Sequence, residues 1–247
     1  MPLSDVIDRI YVINLPFRAD RRREMTVELE RAGLRLGPGE AEFFPAVRPT
    51  EPGPFPSIGT RGAYTSHLNV LKRARDEGLA NVMVMEDDLS ISPAFRDVLP
   101  AVVEQLSSRE WDMAYFGHVL DLEATPGFSF LPYSEPVLTA HWYAVSAPTI
   151  GRLIDFLELL LTREPGHPDG SPMDVDGAIS TFRHQNPDVR TVVASPNLGT
   201  QRSSRSDIRP NWYDRVPVLR QLYSLGRSLK FRLKSRPGSQ GDEPAED

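Results

Sequence analysis

Glu86, Asp87 and Asp88 stand together directly behind the apolar run Asn81-Val82-Met83-Val84-Met85. Like charges a few ångströms apart raise one another's pKa unless something positive lies between them, and a divalent cation is the usual remedy. The spacing Glu86-x-Asp88 turns two carboxylates the same way on an extended segment. A cation held there would act as a Lewis acid, stabilising the charge that develops on a departing group such as a diphosphate. The same triplet would also serve as a solvated acidic turn, with Asp88 or Ser90 capping a helix beyond Pro93. Its place behind a buried strand strengthens the metal reading, and both readings stay open on the motif alone.

Two further acids, Asp174 and Asp176, follow a polar Pro/Gly loop over 164–172. Each has the chemistry of a general base that takes a proton from an attacking hydroxyl. Each would equally cap the helix expected from about Gly177, a role that suits Asp176 better. His67 falls on the apolar face of its expected helix, as a core histidine or as a wall of the site. His184 is a weaker option for a third metal ligand. Gln201, Arg202 and Arg205 are suited to a phosphate or an acceptor.

The elements that must position these residues are legible from periodicity. The compact β-branched run over 10–15, ending at Pro16, predicts a buried strand. Met25, Leu29 and Ala32 share one face of a helix over 18–32 that Gly33 closes. A short strand over 42–47, a Pro/Gly-rich loop over 48–58, a helix over 62–78 and the strand over 81–85 come next. Further helices are expected over 94–106, 148–161 and 176–183, and strands over 112–116, 139–146 and 189–194. Alternating strands and helices with acids at a strand's carboxyl end predict an α/β fold. Ligands of such open sheets bind at that edge.

Composition narrows the chemistry. With 247 residues, 40% of them hydrophobic, the chain can bury one sizeable core. A net charge of -6 argues against a general nucleic-acid binder. Without cysteine, a metal must sit among oxygen or imidazole ligands, which suits Mn²⁺ or Mg²⁺. The acidic start and the short apolar run after it fit neither a signal peptide nor a membrane span, so a cytoplasmic protein is expected. Beyond about Arg209, basic residues interleave with leucines, predicting a basic amphipathic helix over 209–236. It would either pack on the domain or meet the inner face of an anionic membrane, with a disordered tail over 237–247.

The order of several segments carries a resemblance. Tyr11-Val12-Ile13-Asn14-Leu15 with Arg18 and Asp20-Arg21-Arg22, then Gly62 to Leu68, then Val84-Met85-Glu86-Asp87-Asp88, resembles glycosyltransferase family 25. This family includes bacterial lipooligosaccharide sugar transferases and the procollagen galactosyltransferases. The likeness continues through Trp142 to Ser146, Pro172-Met173-Asp174, Pro196 to Gln201 and Ser206-Asp207-Ile208. It covers 8–208 and sets the bounds of the expected catalytic domain, 1–208. Ala63 stands where the family often has cysteine, and Pro16-Phe17 replaces a more polar pair.

The resemblance implies a GT-A-type fold with a central mixed, mainly parallel sheet flanked by helices. It implies an inverting transfer of a hexose, galactose or glucose, from a UDP-sugar to a hydroxyl of a glycan or related acceptor, dependent on Mn²⁺. Asn14 and Leu15 would line the nucleotide pocket with Arg21 or Arg22 nearby. Glu86 and Asp87 would meet the donor, and Glu86 and Asp88 the metal. Asp174 leads as the base because it occupies the Pro-x-Asp match. Trp142 and Tyr143 are core residues or platforms for a sugar ring. Two other classes compete: a non-catalytic nucleotide-sugar-binding relative, and a carboxylate-nucleophile phosphohydrolase, which would want an Asp-x-Asp where this first strand ends in Asn14-Leu15.

Overall fold

A run that is apolar at every position has no wet face, so it folds as a strand covered on both sides. The computed structural model describes residues 2–123 and 125–202. In chain order its elements are β1 (Arg9–Asn14), α1 (Ala19–Ala32), β2 (Ala41–Pro45), α2 (Ile58–Asp76), β3 (Asn81–Glu86), β4 (Leu89–Ile91), α3 (Phe95–Ser108), β5 (Met113–Tyr115), β6 (Ser129–Pro132), β7 (Trp142–Ser146), α4 (Ala147–Leu161), α5 (Val175–Gln185), β8 (Thr191–Ser195) and β9 (Gly199–Gln201). The expected basic helix over 209–236, the tail over 237–247, Arg205 and the match at Ser206 to Ile208 lie outside the described residues. No helix among the described residues is long and apolar enough to cross a membrane.

Seven strands form one mixed sheet in the order β2-β1-β3-β7-β5-β8-β6. β1, β2, β3, β5 and β8 run one way, β6 and β7 the other. Side chains alternate across this sheet into two cores. Tyr11, Ile13, Val82, Val84, Tyr143 and Val145 point to the layer of α2, α4 and α5. Ile10, Val12, Met83, Met85, Trp142 and Ala144 point to α1 and α3. The expected α/β architecture, a mixed and mainly parallel sheet flanked by helices, is what the chain forms.

The long elements lie where periodicity placed them, with shifted ends. α1 stops at Gly33, whose φ of 74° is the left-handed conformation that suits glycine. α2 begins earlier than expected because the Ser57 side chain accepts a hydrogen bond from the Thr60 amide, capping the helix. Neither Asp88 nor Ser90 caps α3, whose first turn follows Ala94 without a side-chain cap.

Three short strands, β4, β6 and β9, were not expected. β4 and β9 pair antiparallel, Leu89 opposite Gln201 and Ile91 opposite Gly199, and form a small second sheet beside the acids. Gly199 permits this approach. A methyl group there would lie 2.7 Å from Trp142 Cε3 and 2.8 Å from Leu89 Cδ1. Trp142 is itself locked, stacked on Phe116 at 5.2 Å and tilted against Phe95. Gly199→Ala is therefore expected to destabilise the fold by about 1–3 kcal/mol, the usual cost of overpacking a tight core. Urea unfolding measures it, and an unchanged midpoint would contradict the close contact.

Candidate functional site

The carboxyl ends of β1, β3, β5 and β8 lie on one edge of the sheet, and the acids follow β3 there. β3 ends at Glu86, and Asp87 and Asp88 form the turn that leads into β4. Glu86 stays on the face of Val84, toward α2, while Asp87 turns to the face of Asn14, toward α1. Asp87 is buried, accepting from Asn14 Nδ2 at 2.7 Å and from Arg21 Nη1 at 2.8 Å. Arg22 Nε donates to Asn14 Oδ1 at 3.2 Å, so the first turn of α1 brings both arginines to this corner. Leu15 is half-buried next to it, its carbonyl accepting from the Arg18 amide.

Glu86 and Asp88 converge on a single donor. Gln201 Nε2 lies 3.1 Å from Glu86 Oε2 and 3.3 Å from Asp88 Oδ2. Arg21 Nη1 is 3.5 Å from the same Asp88 oxygen, and Asp88 Oδ1 is buried with no hydrogen-bond partner. The Arg202 amide donates to the Asp88 carbonyl at 2.7 Å, and its guanidinium to the Asp87 carbonyl at 2.9 Å. β9 thus carries Gln201 and Arg202 onto the acid turn from 113 residues away in sequence.

Glu86 and Asp88 carry their charge differently. Burial pushes the Asp88 carboxyl up to about 7, with the Glu86 charge adding to it and Arg21 opposing. Burial works against Glu86 as well, but the hydrogen bond from His67 holds its carboxyl below the ordinary range. His67 Nε2 lies 3.3 Å from Glu86 Oε1.

Asp174 and Asp176 open α5, both half-buried. Asp174 occupies the N-cap position, and its Oδ1 accepts from the Thr60 hydroxyl at 2.9 Å. Asp176 accepts from the Gly177 amide at 2.8 Å. Burial and the negative charges of Asp174 and Glu86 raise the Asp176 carboxyl. The fold therefore places the start of α5 within electrostatic reach of Glu86; Asp174 stands at the N-cap position without a side-chain cap hydrogen bond, and Asp176 holds a first-turn amide instead.

Other candidates divide. His67 is buried in the core and at the same time touches Glu86. His184 is exposed on α5. Trp142 is wholly buried in the core. His141 drew no attention in the sequence, yet it is buried just before β7, with Nε2 3.3 Å from the Gly199 carbonyl and Nδ1 without a partner. Burial lowers its pKa, which keeps the ring neutral. Gly117 makes room for it, since a methyl group there would fall 2.4 Å from His141 Nε2. A histidine near the end of a β-rich segment was the available signal, but nothing local told it from a core residue.

Among the described residues, no group of three or more His, Asp or Glu side chains is gathered to cage a metal ion. Two carboxylates converging on one point, with a third oxygen unpartnered, still suit Mg²⁺ or Mn²⁺ bound to a diphosphate. Such ions take hard oxygen ligands and fill most of their shell from phosphate and water. A separate cavity of about 470 Å³, between β2 and α2 and lined by Tyr11, Phe44, Asn69 and Lys72 among others, contains none of these acids.

No protein-family model matches the chain. A protein named "Glycosyltransferase 25 family member" from Drosophila melanogaster is 30% identical over 133 residues, covering 45% of this chain and 21% of that protein. "Procollagen galactosyltransferase 1" from Danio rerio is 26% identical over 135 residues, covering 44% and 21%. The human "Inactive glycosyltransferase 25 family member 3" is 27% identical over 128 residues, covering 44% and 22%. A solved structure titled as a glycosyltransferase involved in glycosylation of the major capsid of PBCV-1 aligns with 13% identity and a TM-score of 0.45, over 76% of this chain and 81% of that one. The chain spans about a fifth of the length of these curated relatives. Over the matched part, the resemblance expected from the motifs is borne out: this chain is similar to glycosyltransferase 25 family proteins, a procollagen galactosyltransferase among them.

Proposed function

We propose that this chain is a metal-dependent glycosyltransferase that moves a hexose from a UDP-sugar to a hydroxyl of a glycan or related acceptor, with inversion at the anomeric carbon. The observation that carries this reading is the convergence of Glu86 and Asp88 on one point at the sheet's carboxyl edge, while Asp87 is tied off by Asn14 and Arg21. Glu86 and Asp88 would hold Mn²⁺ or Mg²⁺. When bound, the ion would neutralise the charge developing on the leaving nucleotide diphosphate.

The chain's own residues supply the rest. Asn14, Leu15, Arg21 and Arg22 form the corner where β1 meets α1, the usual place for a nucleotide in an open α/β sheet. Arg202 adds positive charge beside the acid turn. Asp176 is the better placed base: burial and the neighbouring negative charges raise its carboxyl, which suits it to receive the proton of an attacking hydroxyl. One general base suffices for a single inverting displacement. A second reading is a binding module that retains nucleotide-sugar affinity without turnover, and it is favoured by the similarity to a relative named inactive.

Thermal shift with UDP, with and without Mn²⁺, tests donor binding, since a ligand stabilises only the state that binds it. A metal-dependent rise in melting temperature is expected, and no rise would remove the reading. Metal-dependent hydrolysis of one UDP-sugar from a panel then separates an enzyme from a binding module. Asp88→Asn is expected to abolish this turnover while leaving the fold intact. Asp176→Asn is expected to lower transfer by about 10²–10⁴-fold, the usual contribution of a general base, and more than Asp174→Asn. Equal effects of the two variants would count against Asp176.

A pH dependence follows from Asp88. Its carboxyl lies at about 7 in the folded chain, against about 4 for an ordinary aspartate. Between these values the folded state holds a proton that the unfolded state has released, so this contribution to stability falls as pH rises through about 7. His118 and His141, both pushed down by burial, act in the opposite direction at pH values below about 6.5, the ordinary histidine value. Asp88→Asn removes the carboxylate and leaves the histidines. In a chelator, the melting temperature of the variant is therefore expected to gain on that of the parent from about pH 5 to about pH 8. A constant difference would overturn the assignment.

A further inference from the structure

Glu86 is tethered at both carboxylate oxygens, and the tether on Oε1 runs back into the core. His67 is 1% exposed, and Tyr143 is completely buried. Tyr143 lies in β7 opposite Val84, and the alternation of the sheet puts its ring on the same face as Glu86, against α2. The His67 and Tyr143 rings stack, with centroids 5.8 Å apart and planes 13° from parallel. His67 Nδ1 is 3.0 Å from the Tyr143 hydroxyl.

The proton positions follow from the groups present. A neutral imidazole has one donor and one acceptor, and an ionised carboxylate only accepts. Glu86 faces His67 Nε2, so Nε2 carries the hydrogen and Nδ1 is left as a lone pair. The Tyr143 hydroxyl then donates to Nδ1. Among the described residues the hydroxyl has no other hydrogen-bond partner, so this arrangement satisfies every group in the chain.

We propose that His67 and Tyr143 are positioning residues: the chain from the Tyr143 hydroxyl through His67 to Glu86 Oε1 fixes this carboxylate so that Oε2 faces Asp88 and Gln201. The role rests on the donor-site reading, because the oxygen so presented is the one that would meet a nucleoside diphosphate with its divalent cation. Partners of this kind orient a ligating carboxylate and remove the rotational freedom it would otherwise lose on binding. Neither ring needs to touch the substrate.

Nitrogen NMR of the histidine-labelled protein without ligand tests the proton assignment. His67 is expected as the Nε2–H tautomer, and an Nδ1–H tautomer would overturn the chain. Calorimetry with Mn²⁺ and UDP tests the role. Tyr143→Phe and His67→Ala are each expected to weaken binding by about 10-fold, the usual cost of losing such a partner. His67→Gln, whose amide N–H can replace Nε2–H, is expected to recover most of that loss. Melting temperatures check that the variants fold, and Tyr143→Phe, which removes a single oxygen, decides the matter if His67→Ala does not fold. A parent that binds UDP with Mn²⁺ while Tyr143→Phe binds equally well would overturn the positioning role alone. A parent that binds no UDP would overturn the donor reading and the role together.

Discussion

Three consecutive negative charges at the end of a buried strand are the constraint around which this corner of the molecule is arranged. Left together they would repel one another and raise their own pKa values. The turn after β3 separates them first, leaving Glu86 against His67 and Asp87 against Asn14 and Arg21. Partners from distant segments then hold each one differently: Arg21 and Asn14 take Asp87, His67 takes Glu86, and Gln201 bridges Glu86 and Asp88. Asp88 receives the least compensation, which is why burial shifts its carboxyl so far.

Rigid surroundings make that separation possible. β1, β3 and β7 are covered on both faces, and the helices α2 and α5 converge on the face that carries Glu86. The small β4–β9 sheet closes the other side of the acid turn, pinned by the contact of Gly199 with Trp142. Ser57, Thr60 and Asp174 link the start of α2 to the start of α5 through short hydrogen bonds. The starts of these two helices are therefore held to each other.

This arrangement also explains why the two acids of α5 are not equivalent. Asp174 sits at the helix boundary, where a hydroxyl already satisfies one of its oxygens. Asp176 lies within the first turn, where burial and the charges of Asp174 and Glu86 raise its carboxyl. A carboxyl in such a field holds a proton more readily, and this is the property a proton acceptor in catalysis requires.

What the sequence determined by itself was local. The apolar runs ending at Asn14 and Glu86 identified buried strands, and the helical faces of Met25 and Leu29 or Val70 and Leu71 identified the layers that cover them. The expected extended segment through Glu86 and Asp88 is instead a turn after β3, and the two carboxylates meet there at Gln201. The tertiary structure alone decided which partners meet. The β4–β9 pairing, the placement of Gln201, the His67–Tyr143 stack, the burial of His141 and the unequal surroundings of Asp174 and Asp176 all join segments far apart in sequence. A residue's type and local spacing carry no record of such contacts. They arise when the hydrophobic sheet faces close on their helices and bring remote polar groups together.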